Sequence, residues 1–193
     1  MARVLLFDSY DSFTYNLKDY LEQTGAEVTV IKNDTHTVDE IIAMQFDGIV
    51  LSPGPETPEK AGVLLELLKT LETKKPILGV CLGHQAIGLL YGIPLIKMKF
   101  PVHGKVSRIQ CTSHPLFTGI PESFEVCRYH SLTLQNVPSS TIDIIATSDD
   151  YQVMAISHKS LPIWGVQFHP EAILTENGLK MIENWHNMVK LYS

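Results

Sequence analysis

The sequence predicts an α/β fold: a mostly parallel central sheet flanked by helices, with an added antiparallel portion. Three observations carry this. Short aliphatic runs alternate with helix-period segments through the first half, and those runs are apolar almost throughout, as strands covered on both faces are. Beyond Gly92 the pattern changes to short extended runs broken by turn residues. The chain opens with the strand Val4 to Phe7, and then a helix with Phe13, Leu17, Tyr20 and Leu21 on one face, ended by Gly25. A strand around Glu27 to Ile31 follows, then a helix from near Thr37 with Ile41 and Ile42 inward, and the strand Gly48 to Leu51. A third helix with Leu64, Leu65, Leu68 and Leu71 inward leads to the strand Pro76 to Val80, and an apolar helix runs on through Leu90. The second half offers strands at Lys105 to Ile109, Phe124 to Arg128, Ile142 to Thr147, Gln152 to Ser157 and Ile163 to Phe168. A last helix, about Thr175 to Val189, turns Leu179, Ile182 and Trp185 to one side. With no linker or repeat, residues 1–193 read as one domain, whose ligand site belongs at the carboxyl ends of the parallel strands.

Composition narrows the function. The 193 residues are 45% hydrophobic, and 15 Lys+Arg against 21 Asp+Glu leave a net charge of −6. An acidic chain lacks the basic face a general nucleic-acid binder needs. No apolar run reaches the roughly 18 to 20 residues that cross a bilayer, and Asp8 and Asp11 interrupt the first apolar stretch, so a cytoplasmic protein with no membrane association is expected. Cys81, Cys111 and Cys127 show neither CxxC spacing nor an even count, so at least one free thiol is expected. There is no phosphate-binding glycine loop of the Walker or GxGxxG type, and no metal-ligand spacing among the eight histidines. Neither cofactor nor metal is expected.

Three segments carry chemistry. In Gly79-Val80-Cys81-Leu82-Gly83-His84-Gln85 a cysteine sits between glycines where a buried strand passes into a helix, the pattern of a nucleophile elbow with sulfur in place of oxygen. The helix start favours a thiolate, and the Leu82 N–H can serve an oxyanion. A packed structural cysteine is the alternative on this segment alone. In Gly165-Val166-Gln167-Phe168-His169-Pro170-Glu171, positions i and i+2 at a strand end face the same way, so His169 and Glu171 could be a base and the carboxylate that orients it. An exposed His-Pro-Glu turn would read identically. Ser52-Pro53-Gly54-Pro55-Glu56-Thr57-Pro58 follows a parallel strand and could bring a second oxyanion donor at Gly54, or be a plain proline-rich turn.

Taken together, Gly-Val-Cys-Leu-Gly-His-Gln, Gly-Val-Gln-Phe-His-Pro-Glu and Ser-Pro-Gly-Pro resemble the triad-type (class I) glutamine amidotransferases over essentially the whole chain. Asp8 to Asn16 and Arg128-Tyr129-His130-Ser131-Leu132 further resemble the glutaminase subunits of anthranilate synthase and aminodeoxychorismate synthase. The resemblance implies Cys81 as nucleophile, His169 as general base and acid, and Glu171 as its partner, with Gly54 and Leu82 binding the oxyanion. It implies that L-glutamine is held by Gly54, Pro55, Glu56, Gln85, Ser131 and Leu132, and that the ammonia goes to a chorismate-using synthase subunit. Three positions depart from the family pattern: Glu56 where glycine is usual, Ala172 where serine is usual, and Ser9 where asparagine is common. A stand-alone cysteine hydrolase could use the same elbow.

Overall fold

The computed structural model describes residues 1–138 and 140–192. Its strands are β1 (Arg3–Asp8), β2 (Glu27–Lys32), β3 (Gly48–Leu51), β4 (Ile77–Val80), β5 (Leu95–Cys111), β6 (Ser123–Leu134), β7 (Ile142–Ser148), β8 (Val153–His158) and β9 (Ile163–Val166). They form one sheet in the order β2-β1-β3-β4-β9-β8-β7-β5-β6. The first five in that order pair in parallel, and every pairing from β9 through β8 to β6 is antiparallel. The expected mixed sheet is therefore present, with β9 as the seam between its halves.

The helices are α1 (Thr14–Gln23), α2 (Val38–Ala43), α3 (Leu64–Leu71), α4 (Leu82–Leu90) and α5 (Gly178–Val189). Alternate residues of β1 feed two separate cores. Val4 and Leu6 pack with Leu17 and Leu21 of α1 and Trp185 and Val189 of α5. Leu5 and Phe7 pack with Ile41, Leu64, Leu68 and Ile87 from α2, α3 and α4. Helices thus cover both faces of the central parallel strands, which is why β3, β4 and β9 carry no charged residue, while β2 at the sheet edge carries Glu27 and Lys32. Thr37 starts α2 with a reciprocal capping box: its side chain accepts from the Glu40 N–H, and the Glu40 carboxylate accepts from the Thr37 N–H. Among the described residues no helix is long and apolar enough to cross a membrane.

Several sequence expectations need correction. Ile42 is exposed rather than inward, because α2 is only six residues long and turns just Val38 and Ile41 to the core. In α3 the buried set is Leu64, Leu67, Leu68 and Leu71, with Leu65 only half-buried. Leu179 is exposed, and Met181, Ile182 and Trp185 fill its expected place. Instead of Lys105 to Ile109 alone, β5 runs for 17 residues, held to β6 across two register shifts around Lys97 to Lys105. Finally, β6 continues through His130 to Leu134, and β9 stops at Val166, so His169 and Glu171 lie in the turn beyond it.

Candidate active site

Four loops leave the carboxyl ends of β1, β3, β4 and β9 at the same sheet edge, where open α/β sheets place their ligands. The loop after β4 is a single residue. Cys81 joins β4 to α4 at φ 49°, ψ −95°, a left-handed conformation that a residue with Cβ holds only under strain. The flanking glycines make the turn possible. A Cβ on Gly79 would lie 2.4 Å from the Gly83 carbonyl carbon, and one on Gly83 would lie 2.6 Å from the Leu51 oxygen. The Cys81 N–H donates to Val166 O at 2.8 Å, so the backbone of Cys81 is tied to β9. Cys81 is 6% exposed, and the Leu82 N–H lies in the first helical turn, where N–H groups lack intrahelical acceptors. All three cysteines are free thiols.

The loop after β9 carries His169, the residue expected to act as base. His169 Nδ1 and Glu171 Oε1 are 2.6 Å apart, both side chains buried, which leaves Nε2 as the nitrogen available to the thiol. Burial alone would lower the His169 pKa. Hydrogen bonding and charge interaction with Cys81 and Glu171 outweigh it and hold the imidazole well above the ordinary value. The backbone here is pinned to β6, because the His169 N–H donates to Cys127 O at 3.1 Å while the Thr175 hydroxyl donates to His169 O at 2.6 Å. The i, i+2 pairing expected of a strand end is therefore built by a braced turn instead. Tyr129 and Phe13 present T-shaped contacts to the His169 ring, at centroid distances of 5.1 and 6.2 Å.

The remaining loops close a cleft of about 450 Å³ lined by Cys81, His169, Gly54, Pro55, Asp11 and Tyr129 among others. Asp8, buried at the end of β1, folds the first of these loops by accepting from the Tyr10 and Asp11 N–H groups and the Thr14 hydroxyl. Asp11 in turn accepts from the Phe13 N–H; Phe13 occupies the α1 N-cap position, and no side chain caps that helix. Burial raises the Asp11 pKa, opposed by the Phe13 hydrogen bond and by His169. In the loop after β3, Ser52 Oγ accepts from the Ser9 N–H at 2.9 Å and donates to Pro53 O at 2.6 Å. A Cβ on Gly54 would fall 2.7 Å from both Leu82 Cδ2 and Ser9 Cβ, so the Gly54 backbone rests against Leu82 as only glycine can.

The expected substrate contacts divide. Gly54 and Pro55 line the cleft with Cys81, whereas Glu56 sits at φ 62°, pairs with Lys60 at 2.8 Å, and borders a neighbouring cavity with Tyr10 and Asn33. Gln85 is buried, not on the helix surface, and donates through Nε2 to Gln167 Oε1 at 3.2 Å and to Leu132 O at 3.5 Å. Only its Oε1 is left for a ligand. Leu132 is reached through that bond, and Ser131 beside it is exposed on β6. Ala172 is buried, and its N–H donates to His169 O at 3.2 Å. A wider groove of about 590 Å³, bordered by Lys97, Lys99 and Asp150, lies on the antiparallel half and contains no member of the Cys81, His169, Glu171 set.

Sequence reasoning assigned no catalytic or substrate-binding role to Asp11, Phe13, Tyr129, His103 or Gln167. Each sits within or beside one of the motifs above except His103, which the register shifts of β5 bring to the cleft and against Tyr129 at 5.2 Å. The other buried histidines near the site differ sharply from His169. Burial pushes His84 down to about 3 and His130 down to about 4, so both stay neutral.

A cysteine on a strained strand-to-helix turn, a buried His–Glu pair and a glycine loop at one sheet edge agree with comparison against known families: residues 5–188 match the model of the glutamine amidotransferase class-I family, and the chain belongs to it. Among individual proteins, anthranilate synthase component 2 of Azospirillum brasilense is 44% identical over 97% of this chain and 96% of its own length. The aminodeoxychorismate/anthranilate synthase component 2 of Bacillus subtilis is 42% identical over 94% of each. A crystal structure from Thermoplasma acidophilum, provisionally described as one of the subunits of GMP synthase, superposes with a TM-score of 0.89 at 27% identity, covering 100% of this chain and 96% of the other.

Proposed function

We propose that this chain is the glutaminase subunit of a chorismate-using synthase, most closely of the anthranilate synthase type, acting as one amidotransferase domain in the cytoplasm, where its thiols stay reduced. The observation that carries the reading is the cleft that holds Cys81 and His169 together, with Glu171 at 2.6 Å behind the imidazole. Cys81 gives its proton to His169 and its sulfur attacks the side-chain amide carbon of L-glutamine. The C–O π electrons move to oxygen, and the oxyanion is met by the Gly54 and Leu82 N–H groups. Collapse breaks the C–N bond as His169 returns the proton to the departing nitrogen, which leaves as ammonia. Water, deprotonated by the same histidine, then splits the thioester to glutamate and regenerates the thiol. Glu171 holds the imidazole in one tautomer and stabilises its cation. Gly54, Pro55, Glu56, Gln85, Ser131 and Leu132 hold the glutamine, with Gln85 acting through its free Oε1 and Glu56 through its backbone.

Supply to aminodeoxychorismate synthesis is a second reading, favoured by the Bacillus subtilis relative, whose name joins both activities. The test is affinity purification of the complex from the native cell, assayed with chorismate and glutamine. Aminated product from glutamine that is lost in Cys81→Ala, with synthesis from free ammonia retained, supports the reading, and the product's identity selects the pathway. Full glutamine turnover by the chain alone, with no synthase recovered, would replace it with a stand-alone hydrolase.

A further inference from the structure

A line of buried hydrogen bonds ends on the nucleophile. Gln167, fully buried in the loop after β9, places Nε2 3.6 Å from Cys81 Sγ and Oε1 3.2 Å from Gln85 Nε2. Gln85 Nε2 also reaches Leu132 O, and that carbonyl is 2.8 Å from His130 Nδ1. His130 Nε2 is 3.0 Å from Arg128 Nε, whose guanidinium is buried and bonded to Ser107 Oγ at 3.2 Å and Asp150 Oδ1 at 3.0 Å.

The direction of every bond in this line follows from its two groups of fixed polarity. A guanidinium only donates, so His130 Nε2 must be the acceptor, the ring is neutral, and its proton sits on Nδ1 aimed at Leu132 O. A carbonyl only accepts, so Gln85 must turn its NH₂ toward Leu132. Its second N–H then points at Gln167, which must answer with Oε1, and this leaves the Gln167 NH₂ facing sulfur. Flipping either amide would set donor against donor or acceptor against acceptor between buried side chains. The low pKa of His130, set by burial and opposed by its bond to Leu132, agrees with the neutral ring.

We propose that Gln167 is a further catalytic residue, whose amide N–H is held on the Cys81 sulfur by the relay from Arg128 through His130, Leu132 O and Gln85. An N–H donor favours a thiolate over a thiol, because the anion is the stronger acceptor. His169 then need not supply all of the stabilisation that generates the nucleophile. Toward the sulfur, Arg128, His130 and Gln85 are positioning residues, acting through the direction they impose on Gln167. The inference rests on Cys81 being the nucleophile of the proposed glutaminase.

The test is the pH profile of Cys81 alkylation by iodoacetamide in the full chain, read by mass spectrometry of the Cys81 peptide. Gln167→Met removes the donor at similar volume; the profile is expected to move up by about one pH unit, roughly a tenfold slower reaction on its acidic limb. Gln85→Met keeps the Gln167 amide but frees it to turn, and is expected to shift the profile the same way by less. Folding of each variant is checked by its urea unfolding midpoint. A folded Gln167→Met with the wild-type profile overturns the proposal; should that variant not fold, an unshifted Gln85→Met does so. Failure of the underlying reading looks different: the wild-type chain would then show no preferential reaction at Cys81 over Cys111 and Cys127.

Discussion

Lowering the pH from 6.5 to 4.5 is expected to remove a large part of the folding stability before most carboxylates titrate. His84 lies wholly buried against Gly165, and His130 is enclosed by Arg128, Asp150 and the Leu132 carbonyl; burial brings them to about 3 and about 4. In the unfolded chain both titrate near the ordinary histidine value of about 6.5. Below that pH the unfolded state binds two protons that the folded state refuses, so stability rises with pH across this window and falls as acid is added. Each proton is worth about 1.4 kcal/mol per pH unit, and two histidines over two units give roughly 5 kcal/mol. That is a third or more of the roughly 5–15 kcal/mol a domain usually has. His114, His158 and His186 are also lowered by burial and act in the same direction. His169 behaves oppositely. Its folded pKa lies above 6.5, so its contribution is complete below that value and is lost only as pH rises through the folded pKa. Urea unfolding at half-unit intervals of pH, with the denaturant slope held as a control, measures the slope directly. His84→Met should flatten it clearly, by up to about half, whatever its own stability. A flat profile between 6.5 and 4.5, or an unchanged slope in His84→Met, would refute the reasoning.

Other outcomes follow from the site. A glutamine-mimicking electrophile should label Cys81 alone, read by peptide mass spectrometry. His169→Ala should lower glutaminase kcat by about 10²- to 10⁴-fold, and Glu171→Ala by less, because the carboxylate orients the base without transferring the proton; equal, mild losses would reassign the base. Gly83→Ala should destabilise by about 1–3 kcal/mol or more in urea unfolding, since its Cβ would meet Leu51 backbone that cannot yield. The isolated chain should turn over glutamine slowly and gain about 10²- to 10³-fold with its synthase and chorismate, the worth of one oxyanion donor aligned by the Gly54 to Thr57 loop. Glu56→Gly, which relieves the left-handed backbone and breaks an exposed ion pair, should narrow that gain in the same assay.

The parallel half was legible because burial on both faces leaves strands such as Gly48 to Leu51 without polar interruption, and glycines on either side of Cys81 signal a turn that no bulkier residue permits. The antiparallel half was less so. Pro101 and Gly104 fall inside β5, and its register shifts erase the alternation that marks an ordinary strand. Short helices misled where two apolar residues are adjacent, as Ile42 and Leu65 show, because neighbours point about 100° apart and six to eight residues give too few repeats to tell which one faces the core. In the site, the motif residues stood out by type and spacing, whereas the line from Arg128 to Gln167 joins residues far apart in sequence through bonds whose direction only packing defines.

Cys81 and His169 follow adjacent central strands, with Val80 opposite Val166 and the Cys81 N–H bonded across the gap. Moving one against the other would mean tearing the sheet at its middle, so the hydrolytic centre has no internal joint. The loops after β1 and β3 and the bulged arm of β5 lie on the rim instead, held by side-chain hydrogen bonds and register shifts rather than by the central ladder. Such an arrangement separates two jobs: a rigid frame in which the proposed hydrolysis would run, and a rim of loops through which the proposed acceptor enzyme would meet the cleft.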